Sequence, residues 1–258
     1  MRLDVYLYVK GYVKSRQKAK ALIENNCVSV DKKFISKPSY DLDEDTICDI
    51  EINDDCKYVS RGGLKLEKIL SESNLCVQDK ICLDIGASTG GFTDCLLQLG
   101  AKKVIALDTG TNQLDASLKN DFRVVSIENF NAKNISFELI GEFVDIITID
   151  VSFISQTLIM PAAFSVLKDG GCYVSLIKPQ FEAGRERIGK GGIVKNNKDR
   201  LYAVKKVLQC SEALGYSCTA FIKSPIKGGD GNIEYLAIFE RSKNKVTDDY
   251  VKNIVLSQ

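Results

Sequence analysis

Three side chains that could take part in acid–base chemistry stand at the ends of predicted strands. Asp150 follows the apolar run 144–149, Lys178 follows the run 172–177, and Glu234 begins a strand near the end of the chain. Open α/β sheets bind ligands beyond the carboxyl ends of their strands, which favours a functional role for Asp150 and Lys178. A helix-capping role for Asp150 and an exposed strand end for Glu234 are the structural alternatives.

The chain contains no histidine. This removes Ser-His-Asp triads, Cys-His nucleophiles and histidine general bases, so proton transfer would use Lys, Asp, Glu, Tyr or Cys. The nine cysteines include no C-x-x-C pair. We therefore expect buried, reduced thiols and no metal site, with a nucleophilic cysteine as the alternative.

A glycine-rich turn joins a predicted strand to a predicted helix at residues 83–92, which read Leu-Asp-Ile-Gly-Ala-Ser-Thr-Gly-Gly-Phe. Gly86 and Gly90 are four positions apart, whereas the dinucleotide fingerprint places its first two glycines two apart. This spacing favours S-adenosylmethionine, whose amino-acid end can meet backbone amides at the helix start. Asp108 ends the next strand, where a carboxylate can accept both hydroxyls of an adenosine ribose. The expected cofactor-binding residues are Asp84, Gly86, Ala87, Ser88, Gly90, Gly91, Phe92, Asp108 and Asp150.

The elements that would position these residues alternate between short apolar strands and longer helical stretches. This alternation predicts parallel β-α-β units in an α/β, Rossmann-like domain. The last two candidate strands, 220–223 and 234–239, are separated only by a segment rich in Gly and Pro, which predicts an antiparallel C-terminal strand. The candidate parallel strands are 81–85, 104–107, 124–126, 144–149 and 172–177.

Two helices are predicted at the N-terminus. Residues 2–10 carry apolar side chains at near-helical spacing, and Gly11 is a plausible helix stop. Ser15 is a good N-cap for a second, basic helix over 16–25.

A hairpin is predicted next, with strands at 28–30 and 34–36 around a turn at 31–33. The acidic stretch 41–55 leads out of this small α+β module, which we expect to end near residue 57.

Charge is distributed unevenly along a chain whose net charge is only +1. Residues 1–26 hold six basic and two acidic side chains, a net charge of +4, whereas residues 27–56 hold three basic and nine acidic. A basic helical face is typical of RNA binding. The expected RNA contacts in this module are Arg2, Arg16, Lys18 and Lys20.

The segment 178–200 is also basic, with seven basic and three acidic residues and glycines at 184, 189, 191 and 192. A mobile phosphate-binding loop that uses Arg185 and Lys190 is the functional interpretation, and solvated loop charge is the alternative.

The composition is that of an ordinary globular protein, with 45% hydrophobic and 27% charged residues. The N-terminal sequence lacks the apolar core of a signal peptide, and no apolar stretch approaches the roughly 20 residues of a membrane span. We therefore expect a cytoplasmic protein with no membrane partner.

Several motifs of the chain form a recognisable set, namely 58–66, 86–92, 149–153, 178–182, 184–185 and 189–192. They closely resemble the TlyA family, which is often catalogued as hemolysin A and is similar to ribosomal RNA 2′-O-methyltransferases with an FtsJ-like catalytic domain. Residues 2–4, 15–16 and 18–20 resemble the S-four RNA-binding domain that precedes it, and the resemblance covers nearly the whole chain, to about residue 240. One departure is the linker, where some members have Arg-x-Trp and this chain has Cys56-Lys57-Tyr58.

The resemblance implies a catalytic Lys-Asp-Lys-Glu tetrad at Lys65, Asp150, Lys178 and Glu234, and cytidine ribose hydroxyls of ribosomal RNA or ribosomal subunits as the substrate. With the boundary near residue 57, we expect an S-four-like RNA-binding domain at 1–57 and an FtsJ-like methyltransferase domain at 58–242. The end of the chain, 243–258, shows only a weak helical pattern and is expected to be a C-terminal tail.

A ribose hydroxyl needs a base, and Lys178 is the candidate. Desolvation and the second ammonium of Lys65 would lower the pKa of Lys178, whereas Asp150 and Glu234 would oppose that shift. If Lys178 stays protonated, it would instead orient the hydroxyl or stabilise the oxyanion.

Two alternative functions are a membrane-active hemolysin and a non-catalytic RNA-binding assembly factor. The absence of a spanning segment and of a long amphipathic basic helix disfavours the first, and four intact tetrad positions disfavour the second.

Overall fold

The computed structural model describes residues 1–13, 15–24, 27–42, 49–52, 57–228 and 231–257. The chain divides into two compact units, Met1–Arg61 and Gly62–Gln258.

The N-terminal unit packs two helices against a small sheet. The sheet has the strand order β2-β1-β3, and both of its pairings are antiparallel. Leu3, Leu7, Ala19 and Ile23 from the helices form a core with Val28. The elements are α1 (Leu3–Val9), α2 (Arg16–Glu24), β1 (Val28–Val30), β2 (Lys33–Phe34) and β3 (Ile50–Ile52).

Both predicted N-terminal helices are confirmed. Gly11 follows α1 with a left-handed φ of 76°, and the Ser15 hydroxyl caps α2 by accepting the backbone N–H of Lys18 at 3.1 Å. The predicted end of the second helix, Asn25, lies outside the described residues.

A hairpin forms where it was predicted, but its turn contains two residues, 31–32, instead of the predicted three, 31–33. Asp31 and Lys32 both have positive φ, the signature of a two-residue type I′ turn, so Lys33 pairs with Val30 as part of β2. The sequence analysis did not predict β3, because this strand lies within the acidic stretch 41–55. Parts of that stretch fall outside the described residues.

The C-terminal unit is built on a mixed sheet that, in the described part of the chain, has seven strands in the order β6-β5-β4-β7-β8-β10-β9. The strands are β4 (Ile81–Ile85), β5 (Lys103–Leu107), β6 (Val124–Ile127), β7 (Val144–Ile149), β8 (Leu167–Ile177), β9 (Ser217–Lys223) and β10 (Tyr235–Glu240). β4 to β8 pair in parallel, and β10 runs antiparallel to both of its neighbours. The predicted α/β, Rossmann-like fold with an antiparallel C-terminal strand is confirmed.

Helices connect these strands and cover the sheet. They are α3 (Gly62–Ser73), α4 (Gly91–Gln98), α5 (Ala116–Lys119), α6 (Phe137–Ile140), α7 (Met160–Phe164), α8 (Pro179–Glu182), α9 (Asn197–Ala213) and α10 (Asp248–Leu256). Helix α10 lies within the segment that the sequence predicted as a tail, yet it buries Val251 and Val255 in the core of this unit. It is therefore an integral part of the C-terminal unit.

The described residues contain no helix long and apolar enough to cross a membrane. They also contain no cluster of side chains suited to a metal ion. The expectation of buried, reduced cysteines holds for Cys82, Cys95, Cys172 and Cys218. Cys210 and Cys76 are reduced, but Cys210 is half-buried and Cys76 is exposed, and the expectation is wrong for Cys27, which is disulfide-bonded.

Candidate active site

Lys178 and Asp150 form an ion pair beyond the carboxyl ends of β8 and β7. The Lys178 Nζ lies 2.6 Å from Asp150 Oδ1 and donates a hydrogen bond to Ser152 Oγ at 2.9 Å. The two side chains are mostly buried, so water screens their attraction only weakly. This pair keeps the ammonium next to a carboxylate at the ligand-binding edge of the sheet.

Lys65 and Glu234 form a second, more deeply buried ion pair. The Lys65 Nζ donates to Glu234 Oε2 at 2.6 Å, and the residues are only 8% and 2% exposed. A side chain on Gly228 would collide with the Glu234 carboxylate, so glycine at that position leaves room for it. A charge this buried is tolerated because its counter-charge is in contact with it.

The topology of the sheet explains why these residues meet. Tyr235 pairs with Ile177 in the antiparallel β10–β8 ladder, which places Glu234 opposite Lys178 just beyond the strands. The Asp150 N–H donates to the Ile85 carbonyl at 2.9 Å, so Asp150 lies beside the end of β4. Glu234 precedes β10 instead of beginning it, a shift of one residue from the prediction.

A cavity of about 310 Å³ opens at the same sheet edge. Four of the predicted cofactor-binding residues line it, namely Gly86, Ser88, Asp108 and Asp150. Lining residues that the sequence reasoning missed include Thr109, Gln113, Asn131, Ala132, Ser152 and Phe153. Most of them lie in loops after the strands, where no periodic pattern marks them.

Asp108 organises the mouth of this cavity. Its carboxylate accepts the N–H of Ser88 at 2.7 Å through Oδ2 and the N–H of Gly110 at 2.7 Å through Oδ1. Each carboxylate oxygen can accept a further hydrogen bond, so the hydroxyls of a bound ligand could reach it. Asp108 thus ties the glycine-rich turn to the loop after β5.

The glycines of the turn are required for different reasons. Gly86 has a φ of 82°, and an added Cβ would overlap the backbone oxygen of Asp150. Gly90 has a φ of 97°, and an added Cβ would instead meet the side chains of Leu114 and Leu118. Gly86 therefore allows the turn to approach Asp150, whereas Gly90 allows α4 to pack.

The other predicted cofactor residues are not among those that line the cavity. Ala87 and Phe92 are buried, Gly91 begins α4, and Asp84 is fully buried in β4. The Asp84 carboxylate accepts the hydroxyls of Thr93 at 2.7 Å and Thr148 at 2.8 Å. Burial raises the pKa of Asp84 to about 6. Any role of the Asp84 side chain in ligand binding is therefore indirect.

Comparison with known proteins identifies the family. A family model described as FtsJ-like methyltransferase matches residues 58–241, and one described as S4 domain matches residues 1–48. The chain belongs to the FtsJ-like methyltransferase family.

Relatives of this FtsJ-like methyltransferase carry names of two kinds. It is 50% identical to "Hemolysin A" of Brachyspira hyodysenteriae, with 93% of this chain and 99% of the relative covered. It is 38% identical to "16S/23S rRNA (cytidine-2'-O)-methyltransferase TlyA" of Mycobacterium tuberculosis, with 91% and 87% covered. A solved structure described as "Putative hemolysin from Streptococcus thermophilus" superimposes with a TM-score of 0.78 at 41% identity, covering 100% of this chain and 94% of that one.

The S4 domain of this FtsJ-like methyltransferase uses two of its predicted RNA-binding cations internally. Arg2 and Arg16 both donate to the fully buried Asp4 carboxylate, each through its Nε, at 2.9 and 2.8 Å. Burial favours the neutral carboxyl, but the two guanidinium groups outweigh it and lower the pKa of Asp4. Lys18 and Lys20 are exposed and form no ion pair with any described residue.

The basic segment of the methyltransferase unit divides in the same way. Arg200 is buried and donates to the carbonyls of Val194 and Lys195 at 2.8 and 3.0 Å, so it holds the loop in place. The Asn232 side chain also binds this loop, since it accepts the Val194 N–H and donates to the Gly192 carbonyl, both at 3.0 Å. These bonds anchor the loop at residues 192–195, and the mobility of the segment as a whole stays a prediction.

Arg185 and Lys190 are exposed on this anchored loop. Neither forms an ion pair with any residue that the structure describes. Their charges are therefore available to a ligand, whereas that of Arg200 is not.

Phe153 is an aromatic residue that the sequence reasoning did not assign. It lies in the cavity wall, is 93% exposed and has a φ of 64°, and its ring centroid is 5.2 Å from that of Phe181. An exposed ring beside a cavity is suited to stack on a planar ligand. The run Asp-Val-Ser-Phe after a strand was the available signal.

We expect Gly86→Ala to destabilise the protein more than Gly141→Ala. Both glycines have left-handed φ, 82° and 79°, but only Gly86 has backbone where its Cβ would lie. The shared conformational cost is about 1–2 kcal/mol, and the overlap at Gly86 should add about 1–3 kcal/mol. Urea unfolding followed by circular dichroism measures both variants. Equal destabilisation would contradict the close approach to Asp150.

Proposed function

We propose that the chain methylates a ribose 2′-hydroxyl of ribosomal RNA, at a cytidine, with S-adenosylmethionine as the methyl donor. The observation that carries the proposal is the Lys178–Asp150 ion pair, which lies at the edge of the cavity that Gly86 and Asp108 also line. Membership of the FtsJ-like methyltransferase family and the names of the TlyA relatives support it.

The cavity has the donors and acceptors that S-adenosylmethionine requires. Asp108 would accept the ribose hydroxyls, and Ser88 and the Gly86 turn would receive the amino-acid end. The cofactor supplies a methyl group on a positively charged sulfur. Because an added Cβ on Gly86 would overlap the Asp150 carbonyl, glycine at this position lets the turn and Asp150 line the cavity side by side.

Lys178 would act on the target hydroxyl. Its ammonium is held by Asp150 and Ser152, so its orientation is fixed before substrate arrives. As an ammonium, Lys178 would orient the hydroxyl and stabilise negative charge that develops on its oxygen. As a neutral amine, it would instead remove the hydroxyl proton as a general base.

The proposed division of labour assigns RNA binding to residues 1–57 and methyl transfer to residues 58–242. Lys18, Lys20, Arg185 and Lys190 would contact phosphates, since their charges have no partner among the described residues. The remaining segment, 243–258, would serve stability through α10. A ribosomal RNA substrate would place the protein with ribosomes in the cytoplasm.

No observation in the described structure favours the hemolysin alternative, although relatives carry that name. The non-catalytic assembly factor would share the cofactor cavity and the RNA contacts. Only the transfer of a methyl group to RNA would distinguish the proposed enzyme from such an assembly factor. Labelled S-adenosylmethionine incubated with ribosomal subunits from a strain lacking the gene, followed by mapping of the labelled nucleotide, makes this distinction.

We expect Lys178→Ala to reduce methyl transfer on the order of a hundredfold or more, the scale of a lost general acid–base group, with cofactor affinity nearly constant. Lys178→Arg keeps a positive charge but cannot deprotonate in this range. An active Arg variant would show that the position supplies charge, and an inactive one would favour proton abstraction. Single-turnover rates measure both, with the surface variant Lys252→Ala as control. Full activity in both Lys178 variants would remove Lys178 from the mechanism.

We expect Asp108→Asn to weaken S-adenosylmethionine binding about tenfold or more, because an amide is a poorer acceptor for the two ribose hydroxyls and cannot hold the Ser88 and Gly110 N–H groups equally well. Isothermal titration calorimetry gives the affinity, and Asp169→Asn, which alters an exposed carboxylate, is the matched control. Unchanged affinity, or tighter binding of NADH than of S-adenosylmethionine, would contradict the cofactor assignment.

We expect the double variant Lys18→Ala/Lys20→Ala to weaken RNA binding and to flatten its salt dependence by about one unit of slope per lost phosphate contact. Thermal stability should not change, because neither lysine has an internal partner. Arg2→Ala should instead destabilise the S4 domain, since it removes a partner of buried Asp4. Filter binding across a salt series is the measurement, and Lys243→Ala/Lys252→Ala is the control pair. An unchanged slope would shift the RNA contact to Arg185 and Lys190.

A further inference from the structure

A series of side-chain contacts joins the loop after β7 to the segment after β8. Successive residues of the loop contact successive residues of that segment. At one end is the Lys178–Asp150 ion pair of the candidate active site. At the other end is Glu182, the last residue of α8. In chain order the partners are Asp150 and Ser152 with Lys178, Phe153 with Phe181, and Ser155 and Gln156 with Glu182.

The Glu182 carboxylate is buried and fully engaged by the β7 loop. Its Oε2 accepts the Ser155 hydroxyl at 2.5 Å, and its Oε1 accepts the backbone N–H of Gln156 at 2.8 Å. Lys206 of α9 contacts the same cluster, since its Nζ donates to the Glu182 carbonyl at 3.2 Å and to Ser155 Oγ at 3.4 Å and lies 3.8 Å from Oε2. Glu182 therefore connects two active-site segments and a covering helix.

The far end of the β7 loop is also fixed to the sheet. The buried Gln156 side chain accepts the hydroxyl of Ser175, a residue of β8, at 2.6 Å. The loop between Asp150 and Gln156 is therefore held at both ends, by Lys178 near its start and by Glu182 and Ser175 near its end.

Between these anchors lies Phe153, in a backbone conformation that a phenylalanine adopts only under constraint. Its φ of 64° is in the left-handed region, and its side chain is almost entirely exposed, so burial of the ring does not compensate the strain. Strained backbone persists where surrounding contacts determine it, and it is typical of functional sites. The nearest such contacts are Ser152 with Lys178 on one side and Ser155 and Gln156 with Glu182 on the other.

We propose that Glu182 is a positioning residue, which holds the loop 150–156 in its strained conformation and thereby sets the position of Phe153 and the geometry of the Lys178–Asp150 pair. Methyl transfer as a readout rests on the proposed function, but the structural part of the proposal does not. Glu182 itself is buried behind Ser155 and does not line the cavity, so it acts through the loop.

Keeping a charged carboxylate at Glu182 costs free energy because the group is buried. Burial raises the pKa of Glu182, and the bonds from Ser155 and Gln156 and the charge of Lys206 offset only part of that shift. Glutamine would remove the cost of the buried charge but would present an NH2 group toward Ser155 or Gln156. We therefore expect Glu182→Gln to loosen the loop without lowering the stability of the protein.

The absence of tryptophan from the chain allows a direct test of loop order. Phe153→Trp places a single tryptophan in the loop, and time-resolved fluorescence anisotropy reports its local motion. Adding Glu182→Gln should increase that motion, while the thermal midpoint falls by no more than about 2 °C. Ser155→Ala, which removes one donor, should produce a smaller change in the same direction. The control is Glu212→Gln, an exposed carboxylate paired with Lys245.

In the chain that retains Phe153, Glu182→Gln should lower the single-turnover rate of methyl transfer by about tenfold or more, the scale expected when catalytic groups are misplaced. Because residues 150–154 of the loop line the cofactor cavity, the dissociation constant of S-adenosylmethionine should rise as well, but by a smaller factor than the rate falls. Unchanged loop motion would overturn the proposal, as would a rate loss that merely follows a large fall in thermal midpoint. If the unaltered protein transfers no methyl group, the proposed function fails while the anisotropy result still decides the role of Glu182.

Discussion

The candidate active site depends on the pairing of lysines with carboxylates at a sheet edge that is largely removed from water. Lys65 and Glu234 are almost fully buried, and Lys178 and Asp150 are mostly so. An isolated ammonium or carboxylate in such a place would be expensive, so each must be accompanied by its partner. The elements that bring the partners together are therefore constrained: β10 must run antiparallel to β8, and α3 must deliver Lys65 to Glu234.

Close approach of backbone is the second constraint, and it links the cavity to the ion pairs. The Gly86 turn lies against the backbone of Asp150, so the glycine-rich turn is in direct contact with the residue that pairs with Lys178. Asp108 holds the other side of the turn through Ser88. A side chain added to Gly86 would therefore press on the backbone of Asp150, the partner of Lys178, in a closely packed region.

The basic side chains of this chain fall into two groups, those that bind groups inside the fold and those that are exposed to solvent. The amino-acid composition does not distinguish the two groups. Arg2, Arg16 and Arg200 neutralise or bridge groups inside the fold, whereas Lys18, Lys20, Arg185 and Lys190 remain without an internal ion pair in the described structure. Arginine suits the internal role because its planar group makes several directed hydrogen bonds at once. A local net charge of +4 therefore overstates what is available to RNA.

The sequence by itself determined the fold class, the location of most strands, and the positions of Asp150 and Lys178 beyond their strands. It could do so because hydrophobic periodicity and glycine spacing are local properties of the chain. The resemblance added Lys65, which no local pattern marks. Only the tertiary structure decided which lysine meets which carboxylate, that Asp84 lies under the turn and not in the cavity wall, and that Glu182 binds the loop carrying Phe153. These outcomes depend on contacts between residues far apart in the chain, such as Lys65 with Glu234, and such contacts arise from packing and strand order that a local pattern does not contain.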